Sequence, residues 1–197
     1  MTSTIANGPA APTDDNRMPV RTGEPSKGRI AILTADQVEE VEFFYPFYRF
    51  VEEGYDVDVF TPSGGALTGA RGFGIRTTRP LAEANADDYL MLYVPGGNAP
   101  VELRENQQAL DLVRAFTRDR KLIGSVCHGP QLLVSAGVAE GRTMTSWYGV
   151  EPEVIEAGAT WLNQAVVEDD LVITARKPGD LPAEMHRIIA RLRAVSS

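Results

Sequence analysis

Short apolar runs and amphipathic stretches alternate along most of the chain. Residues 29–34 (RIAILT) and 89–94 (YLMLYV) are apolar without polar alternation, which is typical of strands buried on both faces. Residues 38–53 carry Val41, Phe44, Tyr45, Tyr48 and Val51 at helical spacing before Gly54, so a helix is predicted there. Pro46 lies inside this helix and is expected to bend it.

The same criteria predict the remaining elements. Further strands are predicted at 55–61, 122–126 and 143–146, with two more in 159–176 around a turn at 168–170, and a hairpin or loop at 62–74. Further helices are predicted at 106–118, 130–136, 151–157 and 180–193. Strands that alternate with helices indicate an α/β fold, in which a mostly parallel sheet is covered on both sides. Ligands of such sheets bind beyond the carboxyl ends of the strands, so segments 34–42, 95–102 and 127–131 are candidate site segments.

The first 28 of the 197 residues differ from the rest in composition. They are rich in Pro, Gly, Thr and Asp and lack apolar periodicity, so we expect a disordered tail at 1–28 and a single domain at 29–197. The tail has no apolar core of a secretory signal, and no run approaches the ~18 apolar residues of a membrane span. A cytoplasmic protein with no membrane partner is therefore expected.

Charge and composition exclude several kinds of partner and cofactor. The formal net charge is -8, which argues against nucleic-acid binding, and the single cysteine excludes an internal disulfide. With two histidines and one cysteine, a zinc site would need carboxylates as ligands. No phosphate loop or dinucleotide fingerprint is present, so we expect no cofactor and no metal.

The stretch GSVCHGPQLLVSAGV places the sole cysteine, Cys127, between a predicted strand and a predicted helix. Small residues flank it two positions away, at Ser125 and Gly129, as a sharp strand–helix elbow requires. Backbone N–H groups at the start of the helix are expected to stabilise a thiolate there. A free cysteine is often only a small buried apolar residue, but the elbow and the adjacent His128 favour a reactive thiol.

Four segments together resemble the PfpI branch of the DJ/PfpI superfamily: ILTADQVEEVEFFYPFYRFVEEGYDVDVFTP, YVPGGNAP, CHGPQLLVSAGVAEGRTMTSW and DDLVITARKPGDLPAEMHRIIARL. The resemblance implies a flavodoxin-like α/β sandwich that assembles into dimers or larger oligomers. It also implies that a glutamate from the first strand–helix turn reaches the elbow cysteine. We assign that glutamate to Glu39, as a proton donor, and interpret Glu40 and Glu42 as solvated charges.

The peptidases of this family use a histidine next to the cysteine, oriented by a glutamate from a neighbouring subunit. Here Val101 stands where those relatives carry the acid, with Glu102 one step later, and Trp147 replaces their usual tyrosine. Valine cannot orient an imidazole, so His128 remains a candidate catalytic residue without an assigned acid.

Two glycines and an asparagine complete the candidate site. Gly96 and Gly97 are expected to offer N–H groups to an oxyanion, although a simple turn is the alternative. Asn98 and Trp147 are expected to line the pocket, although packing is the alternative for the tryptophan.

Three kinds of function follow from these residues. The first is a cysteine-dependent enzyme of hydratase, hydrolase or lyase type that acts on a small electrophile such as a carbonyl, isonitrile or enone. The second is the peptidase or protein/glyoxal deglycase activity of the family, and the third is a cysteine redox sensor or chaperone. The aromatic residues crowded on segment 43–50 predict a homodimer or larger homo-oligomer.

Overall fold

The computed structural model describes residues 25–195, so the tail predicted at 1–28 lies almost entirely outside the described residues. This part of the chain forms ten strands and six α-helices. The strands are β1 (Arg29–Leu33), β2 (Asp56–Thr61), β3 (Gly65–Thr68), β4 (Gly74–Pro80), β5 (Met91–Val94), β6 (Leu122–Val126), β7 (Thr143–Met144), β8 (Thr160–Trp161), β9 (Val166–Asp169) and β10 (Val172–Ala175). The helices are α1 (Glu40–Glu52), α2 (Ala99–Leu103), α3 (Gln107–Arg118), α4 (Pro130–Ser135), α5 (Glu151–Glu156) and α6 (Leu181–Val195).

Eight strands form one sheet in the order β3-β4-β2-β1-β5-β6-β10-β9. All pairs between β4 and β10 are parallel, and the two edge strands are antiparallel to their neighbours. The inner strands β5 and β6 are buried throughout, as strands covered on both faces must be. Strands β7 and β8 form a separate parallel pair beside this sheet.

Helices cover both faces of the sheet. Helix α1 packs against α6 on one face, whereas α2, α3, α4 and α5 pack together on the other. The predicted α/β sandwich of flavodoxin-like type, with a mostly parallel sheet, is therefore confirmed. The carboxyl ends of β1, β5 and β6 meet at one edge of the sheet, which brings the three candidate segments together there.

Helix α1 buries a different face from the one that its apolar spacing predicted. Val41 and Tyr48 are about half exposed, whereas Phe43, Phe47 and Phe50 are buried against the sheet. The buried stripe also contains Glu42, whose side chain has no exposed surface. An aromatic-rich helix offers two apolar faces, and the packing of the sheet decides which one is buried.

Two elements differ from prediction at the candidate site. Helix α2, which follows the PGGN turn, was not predicted because its five residues are too short for a periodic signal. The strand predicted at 143–146 ends at Met144, and the chain then turns towards the elbow. Within residues 25–195, no helix is long and apolar enough to cross a bilayer.

Candidate active site

Cys127 occupies the corner between β6 and α4 with a backbone φ of 60°, a left-handed value that is rare for a residue with a side chain. Its main chain is held on both sides, because its N–H donates to Ala175 O at 3.0 Å and its carbonyl accepts the Trp147 N–H at 2.9 Å. A Cβ at Gly129 would overlap the Ser125 hydroxyl, which explains the small residues that flank the corner. The predicted elbow is thus formed.

The carboxyl group beside the cysteine belongs to Glu42. It lies beside the Cys127 side chain, since a Cβ on Gly96 would meet both residues, and its Oε2 accepts the Gly96 N–H at 2.9 Å. Oε1 is buried and has no hydrogen-bond partner within the described part of the chain. Burial raises the pKa of Glu42 from 4.5 to about 7. This carboxyl therefore exchanges its proton near neutral pH.

The assignment of the partner glutamate to Glu39 is corrected by this geometry. Glu39 is the N-terminal cap residue of α1, and its carboxylate lies 3.6 Å from the Arg71 guanidinium. Residues 39 and 42 are three apart, and Glu42 lies on the stripe that faces the sheet, together with Pro46 and Phe50 at i+4 and i+8. Glu40 also differs from its predicted solvated state, because it is buried and accepts the Arg71 N–H.

Gly96 and Gly97 have different roles at the site. The Gly96 N–H is occupied by Glu42, so it does not face an open oxyanion position. The backbone N–H groups of Gly97 and His128 lie near the Cys127 sulfur and act to lower the pKa of its thiol. A Cβ on Gly96 would lie 2.6 Å from Glu42 Oε2 and 2.9 Å from Cys127 Cβ, so only glycine fits between the two side chains.

The expected low-pKa thiolate is not what this environment favours. Burial and the nearby Glu42 carboxylate raise the pKa of the Cys127 thiol, and they outweigh the opposing effect of the two backbone N–H groups. Helix α4 has only six residues, so its N-terminal field is weak. The resting cysteine is therefore a thiol, and ionisation requires a group that accepts its proton.

His128 lies close to the sulfur, with its Nδ1 3.2 Å from Cys127 Sγ. The ring is half-buried and tilted by 31° against Trp147, with 6.4 Å between ring centroids. Burial lowers the pKa of His128, so the imidazole is neutral at physiological pH. A neutral imidazole can accept the S–H or donate to the sulfur, but it does not form a thiolate–imidazolium pair.

The Glu153 carboxylate, on α5, raises the pKa of His128 and so acts against the effect of burial. Sequence reasoning did not single out this residue. Glu153 is held by two hydrogen bonds from Arg104, at 3.0 and 3.1 Å, and by one from Gln131 at 3.0 Å. Val101 is 54 % exposed, and its apolar side chain cannot orient the histidine.

Asn98 and Trp147 occupy different parts of the rim. Asn98 caps the start of α2, where its N–H donates to Gln37 O at 2.8 Å and its side chain is exposed. Trp147 is half-buried beside His128. Within residues 25–195, no three His, Cys, Asp or Glu side chains cluster in a way that could hold a metal ion.

A cysteine on a strand–helix elbow, in contact with a buried carboxyl, characterises a class of α/β sandwich proteins with a cysteine-centred site. The chain belongs to the DJ-1/PfpI family, whose model matches residues 28–191. It is 37% identical over 165 residues to Deglycase PfpI of Pyrococcus furiosus, across 84% of this chain and 99% of that protein. It is 34% identical to Protein/nucleic acid deglycase 2 of Escherichia coli, across 79% and 92% of the two chains.

The solved structures agree with this membership. Drosophila melanogaster DJ-1beta superposes with a TM-score of 0.80 at 26% identity, across 85% of this chain and 91% of that one. The names of the relatives indicate an enzyme of hydrolase type and do not specify the chemistry of this chain.

Proposed function

We propose that this protein is a hydrolase of the deglycase kind, which uses the Cys127 thiol to attack the carbonyl carbon of a small carbonyl compound or its adduct. The observation that carries the proposal is the buried Glu42 carboxyl beside the Cys127 thiol, where each group affects the pKa of the other. A thiol with a raised pKa needs a base beside it, and Glu42 is a carboxylate for about half of the time near pH 7.

The proton and the electrons balance in this scheme. The Glu42 carboxylate takes the S–H proton as the sulfur forms a bond to the carbonyl carbon, and the electron pair of the C=O bond moves to oxygen. The protonated Glu42 then returns the proton to that oxygen or to the leaving group. The Gly97 N–H supports the sulfur while it carries charge. For methylglyoxal the addition gives a hemithioacetal. Removal of the proton on its former aldehyde carbon and its return to the neighbouring ketone carbon, through an enediol, give a thioester, which water hydrolyses to lactate and the free thiol. The shift is internal to the substrate, so no redox partner is required.

Deglycation and the chemistry of isonitriles or enones all begin with addition of the sulfur to an electron-poor carbon. The names of two relatives favour a carbonyl substrate. The activity is tested by following methylglyoxal, and an amino acid glycated with it, in the presence of the protein. Wild type should consume both, and Cys127→Ala should consume neither. Equal consumption by Cys127→Ala would exclude the proposal.

Mass spectrometry offers a second readout that does not depend on turnover. The chain has one cysteine, so any thiol adduct must be on Cys127. We expect an adduct with methylglyoxal in wild type and in Glu42→Gln, more slowly in the variant, and none in Cys127→Ala.

Peptide hydrolysis is a second candidate, favoured by the 3.2 Å separation between His128 Nδ1 and Cys127 Sγ. It requires an imidazole that takes the thiol proton, as in cysteine peptidases. Fluorogenic peptides assayed beside methylglyoxal separate the two activities. Robust peptide cleavage that His128→Ala abolishes would favour the peptidase.

A further inference from the structure

A cavity of about 440 Å³ is lined by Trp147, whose N–H donates to the carbonyl of the elbow residue Cys127. We call it the Trp cavity and define it by six of the residues that line it: Trp147, Tyr148, Trp161, Asn163, Arg176 and Lys177. Its volume is in the range of small-molecule sites, of about 300–1,000 Å³. The proposed catalytic step at Cys127 does not use any of these residues.

The Trp cavity is joined to Cys127 through the backbone. The Trp147 N–H donates to Cys127 O, and the Cys127 N–H donates to Ala175 O, directly before Arg176. The Trp147 ring also faces the imidazole of His128, whose Nδ1 touches the sulfur. One side chain, His128, thus lies between the reacting sulfur and the cavity wall at Trp147.

The walls of the cavity are aromatic and fixed in orientation. The Trp147 and Tyr148 rings lie 4.4 Å apart between centroids, tilted by 46°. The Trp161 indole donates its N–H to Ser146 Oγ at 3.0 Å, which fixes the plane of the ring. Flat aromatic surfaces of this kind favour a flat aromatic ligand, because stacked and edge-to-face ring pairs are stabilising.

Two basic residues line the cavity. Arg176 is engaged by Asp180, at 2.9 and 3.2 Å, and by Asn163 Oδ1 at 2.7 Å. Lys177 is exposed and has no carboxylate partner within the described part of the chain. Lys177 therefore favours an anion over the neutral form of the same molecule at this cavity, against the net charge of -8 of the protein as a whole.

We propose that the Trp cavity is the specificity subsite of the enzyme, and that it binds the aromatic carboxylate part of a substrate whose carbonyl carbon reacts at Cys127. This inference rests on the proposed function for the reaction, but binding in the cavity is independent of turnover. The substrate class is a carbonyl compound attached to a flat ring that bears a carboxylate.

Binding is tested with benzoate, which does not react with thiols. The two tryptophans of the chain both line the cavity, so intrinsic fluorescence excited at tryptophan reports on it directly. We expect saturable quenching by benzoate in wild type and in Cys127→Ala. Cyclohexanecarboxylate has the charge without the ring, and benzamide has the ring without the charge, so both should bind more weakly.

Substitutions at the Trp cavity test whether benzoate binds there. Trp161→Leu removes a wall and should weaken benzoate binding about 5- to 10-fold, whereas Trp161→Phe keeps a flat ring and should stay within about 2-fold. Lys177→Gln should weaken binding about 2- to 5-fold. Lys27→Gln is the matched control, because it removes the same charge from an exposed site at the opposite end of β1 and should leave binding unchanged.

Turnover assays test the proposed subsite and the proposed reaction separately. Wild type should prefer 4-carboxyphenylglyoxal to phenylglyoxal, and phenylglyoxal to methylglyoxal, in kcat/KM, and Trp161→Leu should reduce this preference about 5-fold or more. Benzoate binding without turnover of any of the three would overturn the proposed function and leave the subsite standing. Turnover with no aromatic preference, or benzoate binding no tighter than that of cyclohexanecarboxylate, would overturn the subsite.

Discussion

Replacement of Glu42 by glutamine should abolish activity and stabilise the fold at alkaline pH. The glutamine keeps an oxygen that can accept the Gly96 N–H, so the local geometry is preserved. It cannot exchange a proton with the Cys127 thiol, and loss of a positioned acid–base group costs about 10²- to 10⁴-fold in rate. We expect kcat/KM for methylglyoxal to fall by more than about 100-fold.

The effect on stability follows from the raised pKa of Glu42. Burial raises it from 4.5 to about 7, so between these values the folded protein holds a proton that the unfolded chain has released. The free energy of unfolding therefore falls as the pH rises through this window. At about 1.36 kcal/mol per pKa unit, the ionised carboxylate costs about 3 kcal/mol above pH 7. Glu42→Gln removes this cost.

Denaturant unfolding at pH 5 and at pH 8.5 measures this difference. The variant and wild type should be nearly equal at pH 5, and the variant should be more stable by about 2–3 kcal/mol at pH 8.5. Glu39→Gln is the matched control, since it removes a carboxylate one helical turn away and should cost less than about 10-fold in kcat/KM. Equal damage by the two variants, or no change of stability with pH, would refute the reasoning.

Three further predictions concern Gly96, His128 and the oligomeric state. Gly96→Ala places a Cβ 2.6 Å from Glu42 Oε2, so it should destabilise the fold by about 1–3 kcal/mol in thermal melting and reduce kcat/KM at least about 10-fold. His128→Ala should cost less than about 10-fold in kcat/KM, because a neutral imidazole with a lowered pKa holds no thiolate. Wild type should be a dimer or larger by light scattering, and Phe73→Asp, at a residue 61% exposed beside the aromatic face of α1, should shift it towards monomer.

Each of these predictions has a result that contradicts it. Wild-type activity in Gly96→Ala would mean that Glu42 and Cys127 need not be in contact. Damage by His128→Ala equal to that of Cys127→Ala would assign the thiol proton to the imidazole. The mass of one chain at micromolar concentration would exclude self-association.

Six strands of the central sheet were predictable because they depend on local pattern, whereas β4 (Gly74–Pro80) was not predicted and β3 (Gly65–Thr68) lies in a segment predicted only as a hairpin or loop. Buried strands such as β5 and β6 are continuous apolar runs, and the small residues around Cys127 follow from the sharp turn of the chain. The elbow cysteine therefore follows from the sequence, and so does the meeting of three candidate segments at one edge of the sheet.

The partner of the cysteine was harder to predict, because it depends on which face of α1 is buried. Three glutamates lie within residues 39–42, and a shift of two or three residues along the chain changes which neighbour a carboxyl faces. The signal that identifies Glu42 is its alignment with Pro46 and Phe50 at i+4 and i+8 on the buried stripe. The effect of Glu153 on His128 had no local signal, since it depends on the packing of α5 against α4.

The main-chain hydrogen bonds on both sides of Cys127 fix the position of the sulfur independently of the side chains that select the substrate. The bonds to Ala175 and Trp147 use backbone groups, so they persist whatever side chains occupy the rim. Over evolutionary time, rim positions such as 101 and 147 are then free to drift while the sulfur keeps its place. A library randomised at these rim positions should accordingly yield many folded members with altered substrate range. Few members should fail to place the Cys127 thiol at the elbow.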